Sequence, residues 1–148
     1  MVINGELTIV PLTTEDYDAI RELWDQAGLH IRSSGRDSRE QFARQLAGGI
    51  QTVLGARLGD RLVGVVIATH DGRKGWINRL AVHPDVRRQG VGLRLIAEAE
   101  RVLHDQGLPI IAALIEPENQ PSLALFERAG YMEYPGIHYV TKRDRQDV

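Results

Sequence analysis

Trp76-Ile77-Asn78-Arg79-Leu80-Ala81-Val82-His83-Pro84-Asp85-Val86-Arg87-Arg88-Gln89-Gly90-Val91-Gly92-Leu93-Arg94-Leu95-Ile96 is the segment around which the chain is organised. An apolar strand runs into Pro84, a short charged loop follows, and Gly90-Val91-Gly92 opens an amphipathic helix. A strand, a glycine-containing turn and a helix start together make an anion site. The first helical N–H groups lack internal partners, and that end of the helix dipole is positive. Glycine lets a phosphate approach the backbone without a side chain in the way. Arg87 and Arg88 add two permanent charges whose forked donors suit phosphate oxygens. The segment reads as a cradle for a diphosphate.

Two familiar phosphate ligands are excluded by spacing. The dinucleotide fingerprint requires a third glycine three residues after the second, and Leu95 stands there. The nucleoside-triphosphate loop closes on Gly-Lys-Ser or Gly-Lys-Thr, a triplet absent from the chain. What remains is Arg87-Arg88-Gln89-Gly90-Val91-Gly92 behind Leu80-Ala81-Val82-His83-Pro84. That combination resembles the coenzyme A signature of the GNAT superfamily, the GCN5-related N-acetyltransferases. The resemblance implies that Arg87, Arg88, Gln89, Gly90, Val91 and Gly92 hold the cofactor's diphosphate. It also implies that Leu80, Ala81 and Val82 pair through their backbone with the pantetheine arm, on a strand splayed from its neighbour.

The totals set wide bounds. A chain of 148 residues fits one domain, 1–148, with room for a core. A net charge of −2 argues against a general nucleic-acid surface. With no cysteine there is no disulfide, thiolate nucleophile or zinc-thiolate site. The five histidines show no metal spacing, so no metal is expected. No basic-then-apolar leader and no membrane-length apolar run is present, so a cytoplasmic protein without membrane contact is the expectation.

Along the chain, Leu7 to Val10 reads as a strand stopped by Pro11, and Thr13 or Thr14 caps a helix ending at Gly28. Ile31 to Arg36 is a loop, and Ser38 with Gln41 resembles a capping box for a second helix. Thr52 to Leu58 and Leu62 to Thr69 form a hairpin around Gly59-Asp60, followed by the strand from Trp76. The helix after Gly90 ends at Gly107-Leu108-Pro109, and Ile110 to Ile115 is a buried strand. Pro121 opens a last helix that Gly130 closes, and Tyr131 to Tyr134 and His138 to Thr141 read as two final strands. Lys142 to Val148 is a charged tail. The order β-α-α-β-β-β-α-β-α-β-β around a mixed sheet is the element order of the GNAT fold, an α/β class.

A second motif, Asn119-Gln120-Pro121-Ser122-Leu123-Ala124-Leu125-Phe126-Glu127-Arg128-Ala129-Gly130-Tyr131, also resembles the superfamily's pattern. By that resemblance Asn119 bonds the pantetheine arm, Ser122 lies along it, and Phe126 borders the cofactor. Asn119 could equally cap the helix, or do both. Where relatives commonly carry a tyrosine that protonates the departing thiolate, this chain has Phe126. Tyr131, Tyr134 and Tyr139 are the alternative acids. A carboxylate common in relatives two residues before Leu80 is here Asn78, which can orient a water, and Glu116 is the nearest carboxylate by motif position.

The implied activity is transfer of the acetyl group of acetyl-CoA to a primary amine, on a small molecule or a peptide, by direct attack. The acceptor site would lie around 29–39, with Arg32, Arg36 and Arg39, and around 135–138. A homodimer is compatible with this pattern. The rival readings are an acyl-CoA-binding sensor without turnover and, more weakly, a nucleic-acid-binding domain using Arg87 and Arg88.

Overall fold

The architecture is seen in a computed structural model that describes residues 6–31 and 34–146. Strands β1 (Leu7–Pro11), β2 (Gln51–Leu58), β3 (Arg61–His70) and β4 (Gly75–Val82) form an antiparallel meander, and β5 (Ile111–Ala112) joins β4 in parallel. Helices α1 (Tyr17–Gln26) and α2 (Arg39–Ala47) connect β1 to β2. Helix α3 (Val91–Asp105) and helix α4 (Gln120–Arg128) follow β4 and β5.

Each face of the sheet buries its own core. Val63, Val66, Ala68 and Ile77 meet Val91, Leu95, Ile96, Ala99 and Leu103 of α3. Val53, Val65, Ile67 and Ala81 meet Tyr17, Ile20, Leu23 and Trp24 of α1 and Phe42 of α2. Coverage on both faces is why β3 is apolar almost throughout rather than alternating. Side chains of α3 press on the sheet at Gly64 and Gly75, where a Cβ would meet Leu95 Cδ1 and Leu103 Cδ1, each at 2.9 Å.

The helix ends follow local chemistry. Thr13 and Asp16 form a reciprocal capping box over the turn Thr14–Asp16 that leads into α1. Ser38 Oγ accepts the Gln41 N–H at 3.2 Å and starts α2. Gly107 and Gly130, with φ of 85° and 97°, follow the ends of α3 and α4, a left-handed conformation that costs other residues more.

β4 carries an irregularity that decides which side chains face which core. Val65 pairs with Ala81 and Ile67 with Asn78, so two steps along β3 match three along β4. That is a bulge, one extra residue on β4. Arg79 has φ of 51°, outside the strand region. An unbroken strand would put Ile77 and Ala81 on one face; instead Ile77 packs toward α3 and Ala81 toward α1.

The α/β class, the mixed sheet and the element order through α4 agree with expectation; the last two strands do not. Tyr131–Tyr134 and His138–Thr141 have no ladder, and Met132, Tyr134, Ile137, Tyr139 and Val140 are exposed. The expected strand Ile110 to Ile115 is reduced to Ile111–Ala112. Aromatic and β-branched residues favour a strand only when a neighbouring backbone is there to pair with. Two residues of β5 offer little edge for one. Of the acceptor-loop arginines, Arg32 lies outside the described residues.

Candidate active site

The parallel pairing of β4 with β5 ends almost as soon as it starts. Gly75 matches Ile111 and Trp76 matches Ala112, and no further pair follows. From Ile77 to Val82 the β5-side edge of β4 therefore has no strand beside it among the described residues. Leu80 and Val82 lean on the α3 core and Ala81 on the α1 core, so these side chains are occupied by packing. Their backbone is what the cleft presents, and an extended chain can add to such an edge.

The strand leads to the start of α3. His83 Nδ1 accepts the Asp85 N–H at 3.0 Å and caps the short turn Pro84–Val86, and its side chain is mostly covered. Val86 is fully buried and pins the loop. Arg87 donates from Nε to the Val82 carbonyl at 3.2 Å and from Nη2 to the Ala27 carbonyl at 3.4 Å. It therefore ties the loop to β4 and to the end of α1, and part of its fork is already engaged. Arg88 is exposed, left-handed at φ of 63°, and makes no ion pair with the described residues. Gln89 is exposed beside it.

Gly90 is the N-cap of α3 at φ of 83°, and a Cβ built on it would meet nothing within 4 Å. No side chain caps this helix and its first turn holds no acidic residue, whereas the first turns of α1 and α2 carry Asp18 and Glu40. The N–H groups at this end of α3 and its dipole are thus left for an external anion. Val91 is buried under the sheet. Gly92 is different from Gly90: a Cβ there would meet Leu125 Cδ2 at 2.9 Å, so its smallness also serves the packing of α4 on α3.

On the second motif, Asn119 Oδ1 accepts the Ser122 N–H at 3.3 Å, so Asn119 does cap α4. Ser122 is partly covered in the first turn of the helix. Phe126 is 6% exposed and belongs to the α3 core, edge-on to Tyr131 with centroids 5.1 Å apart. Its ring is packed among core side chains.

The candidate catalytic residues do not converge. The Asn78 amide donates to Thr69 Oγ1 at 3.0 Å, on the sheet face that α1 and α2 cover. Glu116 is exposed, its backbone carbonyl accepting the Asn119 N–H at 2.9 Å. Tyr131 donates its hydroxyl to Glu100 Oε2 of α3 at 2.8 Å. Burial first, then that hydrogen bond and the charge of Glu100, hold its phenol well above the ordinary tyrosine value. A phenol that keeps its proton for α3 is a poor acid for a cleft beside β4. Tyr134 and Tyr139 are exposed in the unpaired C-terminal segment.

Sequence reasoning gave no role to Arg79 or Asp37, which form an ion pair here. A bulge places Arg79, and no pattern of residue types marked it. Among the described residues no cluster of histidine, aspartate and glutamate could hold a metal ion, and no helix is long and apolar enough to cross a membrane.

The chain is 28% identical over 127 residues to the acetyltransferase ECA0875 of Pectobacterium atrosepticum, covering 86% of each. Its fold is similar to that of the aminoglycoside acetyltransferase AAC(6')-Iy in complex with the bisubstrate analogue CoA-S-monomethyl-acetylneamine (TM-score 0.77, 19% identity, 94% of this chain and 99% of that one). It is also similar to the PaiA N-acetyltransferase of Thermoplasma acidophilum in complex with coenzyme A (TM-score 0.74, 17% identity, 83% and 87%). Residues 17–131 match the acetyltransferase (GNAT) family, and the chain belongs to that family.

Proposed function

We propose that the protein transfers the acetyl group of acetyl-CoA to a primary amine, of a small molecule or of a peptide, by direct attack while both are bound. One observation carries this: the unpartnered edge of β4 runs straight to an uncapped helix start whose Gly90 faces open space. A diphosphate fits the helix start, with the N–H groups of Gly90 to Gly92 as donors and Arg88 and Gln89 at the rim. An amide-bearing arm fits the edge at Leu80 to Val82.

The thioester supplies an activated carbonyl. A β4 N–H near Leu80 is the donor placed to stabilise the oxyanion as the amine adds. Asn78, oriented by Thr69, offers an amide oxygen to an incoming amine or a water. With Phe126 in the core and Tyr131 held on Glu100, the thiolate leaves without a neighbouring phenol. A thiol pKa of about 8.5 makes that departure feasible near neutrality. A general acid contributes about 10²–10⁴-fold, whereas holding reactants in attack geometry contributes about 7–11 kcal/mol. Positioning is the larger effect.

The absence of a converging acid and base supports a second reading, an acyl-CoA sensor without turnover. Calorimetry with coenzyme A, followed by acetyl-CoA with a panel of polyamines, amino acids, aminoglycosides and peptide N-termini, separates the two. The enzyme releases free thiol in step with acetylated amine; the sensor binds and releases none. No heat with coenzyme A at any salt concentration refutes both.

A further inference from the structure

Arg79 is the residue that the bulge of β4 turns out of the strand. Its Nη1 donates to the His30 carbonyl at 2.6 Å and its Nη2 pairs with the Asp37 carboxylate. Both partners lie on the connection between α1 and α2, 49 and 42 residues away in sequence. The guanidinium carbon stands 5.2 Å from the centroid of the Trp24 ring. That ring is 1% exposed and its N–H has no partner among the described residues, so packing and the cation on its face hold it. Asp37 is itself buried, and the Tyr17 hydroxyl of α1 donates to its backbone carbonyl at 2.5 Å. A planar fork aims donors from two separate nitrogens in fixed directions, whereas a lysine gathers all its donors on one atom.

We propose that Arg79 is a positioning residue that docks the α1–α2 connection onto the bulge of β4. The wall that faces the acceptor and the N–H near Leu80 then move as one unit. The docking stands on the contacts alone; its effect on acceptor handling rests on the acetyl-transfer reading above. Arg79→Gln or Asp37→Asn undocks the connection, because each removes one charge of an ion pair whose side chains are only 19% and 9% exposed. Arg79→Lys keeps the charge but loses the two separated nitrogens of the fork, and falls between.

Amide hydrogen exchange on the full chain reads the docking without any ligand. In Asp37→Asn the amides of Ala81 and His83, far away in sequence and directed at β3, exchange about tenfold faster, and Arg79→Gln speeds exchange equally at Leu29, whose N–H bonds the Trp24 carbonyl. The double variant is no worse than either single one, as for two residues acting through one contact. Unchanged exchange at Ala81 and His83 in Asp37→Asn, or effects that simply add, overturns the proposal.

The kinetic arm uses acetyl-CoA with spermidine and with neamine as amine probes. KM for the amine rises about tenfold while the coenzyme A Kd stays within about twofold, a coupling of ordinary size. A merely destabilised fold would lower kcat at unchanged KM, and parallel loss of coenzyme A affinity overturns the role assigned to Arg79. If the wild-type chain binds no coenzyme A, the acetyl-transfer reading fails while the exchange result still decides the docking.

Discussion

Gly90→Ala separates the two demands made on one residue. Gly90 has φ of 83°, and a Cβ there meets no neighbour within 4 Å. Alanine is therefore not excluded by contact but by conformation, and a left-handed residue with a Cβ costs about 1–2 kcal/mol. At about 2–4 °C per kcal/mol for a domain of this size, a chain that keeps the turn loses about 2–8 °C in Tm. A chain that escapes by flipping the turn keeps its Tm but rotates the first N–H groups of α3 away. Coenzyme A affinity then falls, with about 1.4 kcal/mol corresponding to tenfold. One of the two losses has to appear. Gly90→Asn is the control, because asparagine tolerates the left-handed region yet puts a side chain at the mouth. Thermal unfolding and calorimetry with coenzyme A on the three proteins give the answer. If Gly90→Ala changes neither quantity, the turn is not strained and the cradle is misplaced. If Gly90→Asn keeps full stability and full affinity, the open space in front of Gly90 is not where the diphosphate lies.

Tyr131→Phe removes a half-buried hydrogen bond to a carboxylate and is expected to cost about 1–2 kcal/mol in urea unfolding, with turnover unchanged; a large fall in kcat at full stability would return Tyr131 to the chemistry. The folded chain holds the phenol proton beyond the ordinary value of 10.0. Wild-type stability is therefore full below about pH 10 and declines as pH rises beyond it, and Tyr131→Phe flattens that decline. Phe126→Tyr places a hydroxyl in a site 6% exposed; it should lower stability by about 1–3 kcal/mol and leave turnover no higher. A stable, faster Phe126→Tyr would show that this ring reaches the cleft.

What the sequence made legible is local chemistry, and what it hid is chain pairing. Ser38 and Asn119 cap the helices expected of them, because an N-cap oxygen needs only the N–H groups of the next turn. The glycines at 90, 107 and 130 adopt the left-handed conformations that their places at helix ends imply. The uncapped turn before α3 was readable for the same reason. The strands expected after Gly130 failed because a ladder needs a neighbour, and no residue in 131–141 encodes whether β5 is long enough to be one. The bulge at Arg79 was invisible too, since one extra residue in an apolar run leaves composition unchanged while it exchanges the faces of Ile77 and Ala81. The direction of the Tyr131 hydroxyl was hidden for a third reason. Its motif position places the backbone, but the direction of its hydroxyl is set by Glu100, on a helix that precedes it by 31 residues.

The contact at Gly92 has an evolutionary consequence. A side chain at 92 would meet the far end of Leu125 at 2.9 Å and push it aside, so the volumes at the two positions are coupled: a larger residue at one favours a smaller one at the other. Divergence along this lineage should therefore trade volume between the two sites while leaving Gly90 fixed. A glycine that looks like half of a ligand signature is, in this molecule, answerable to its neighbour as well.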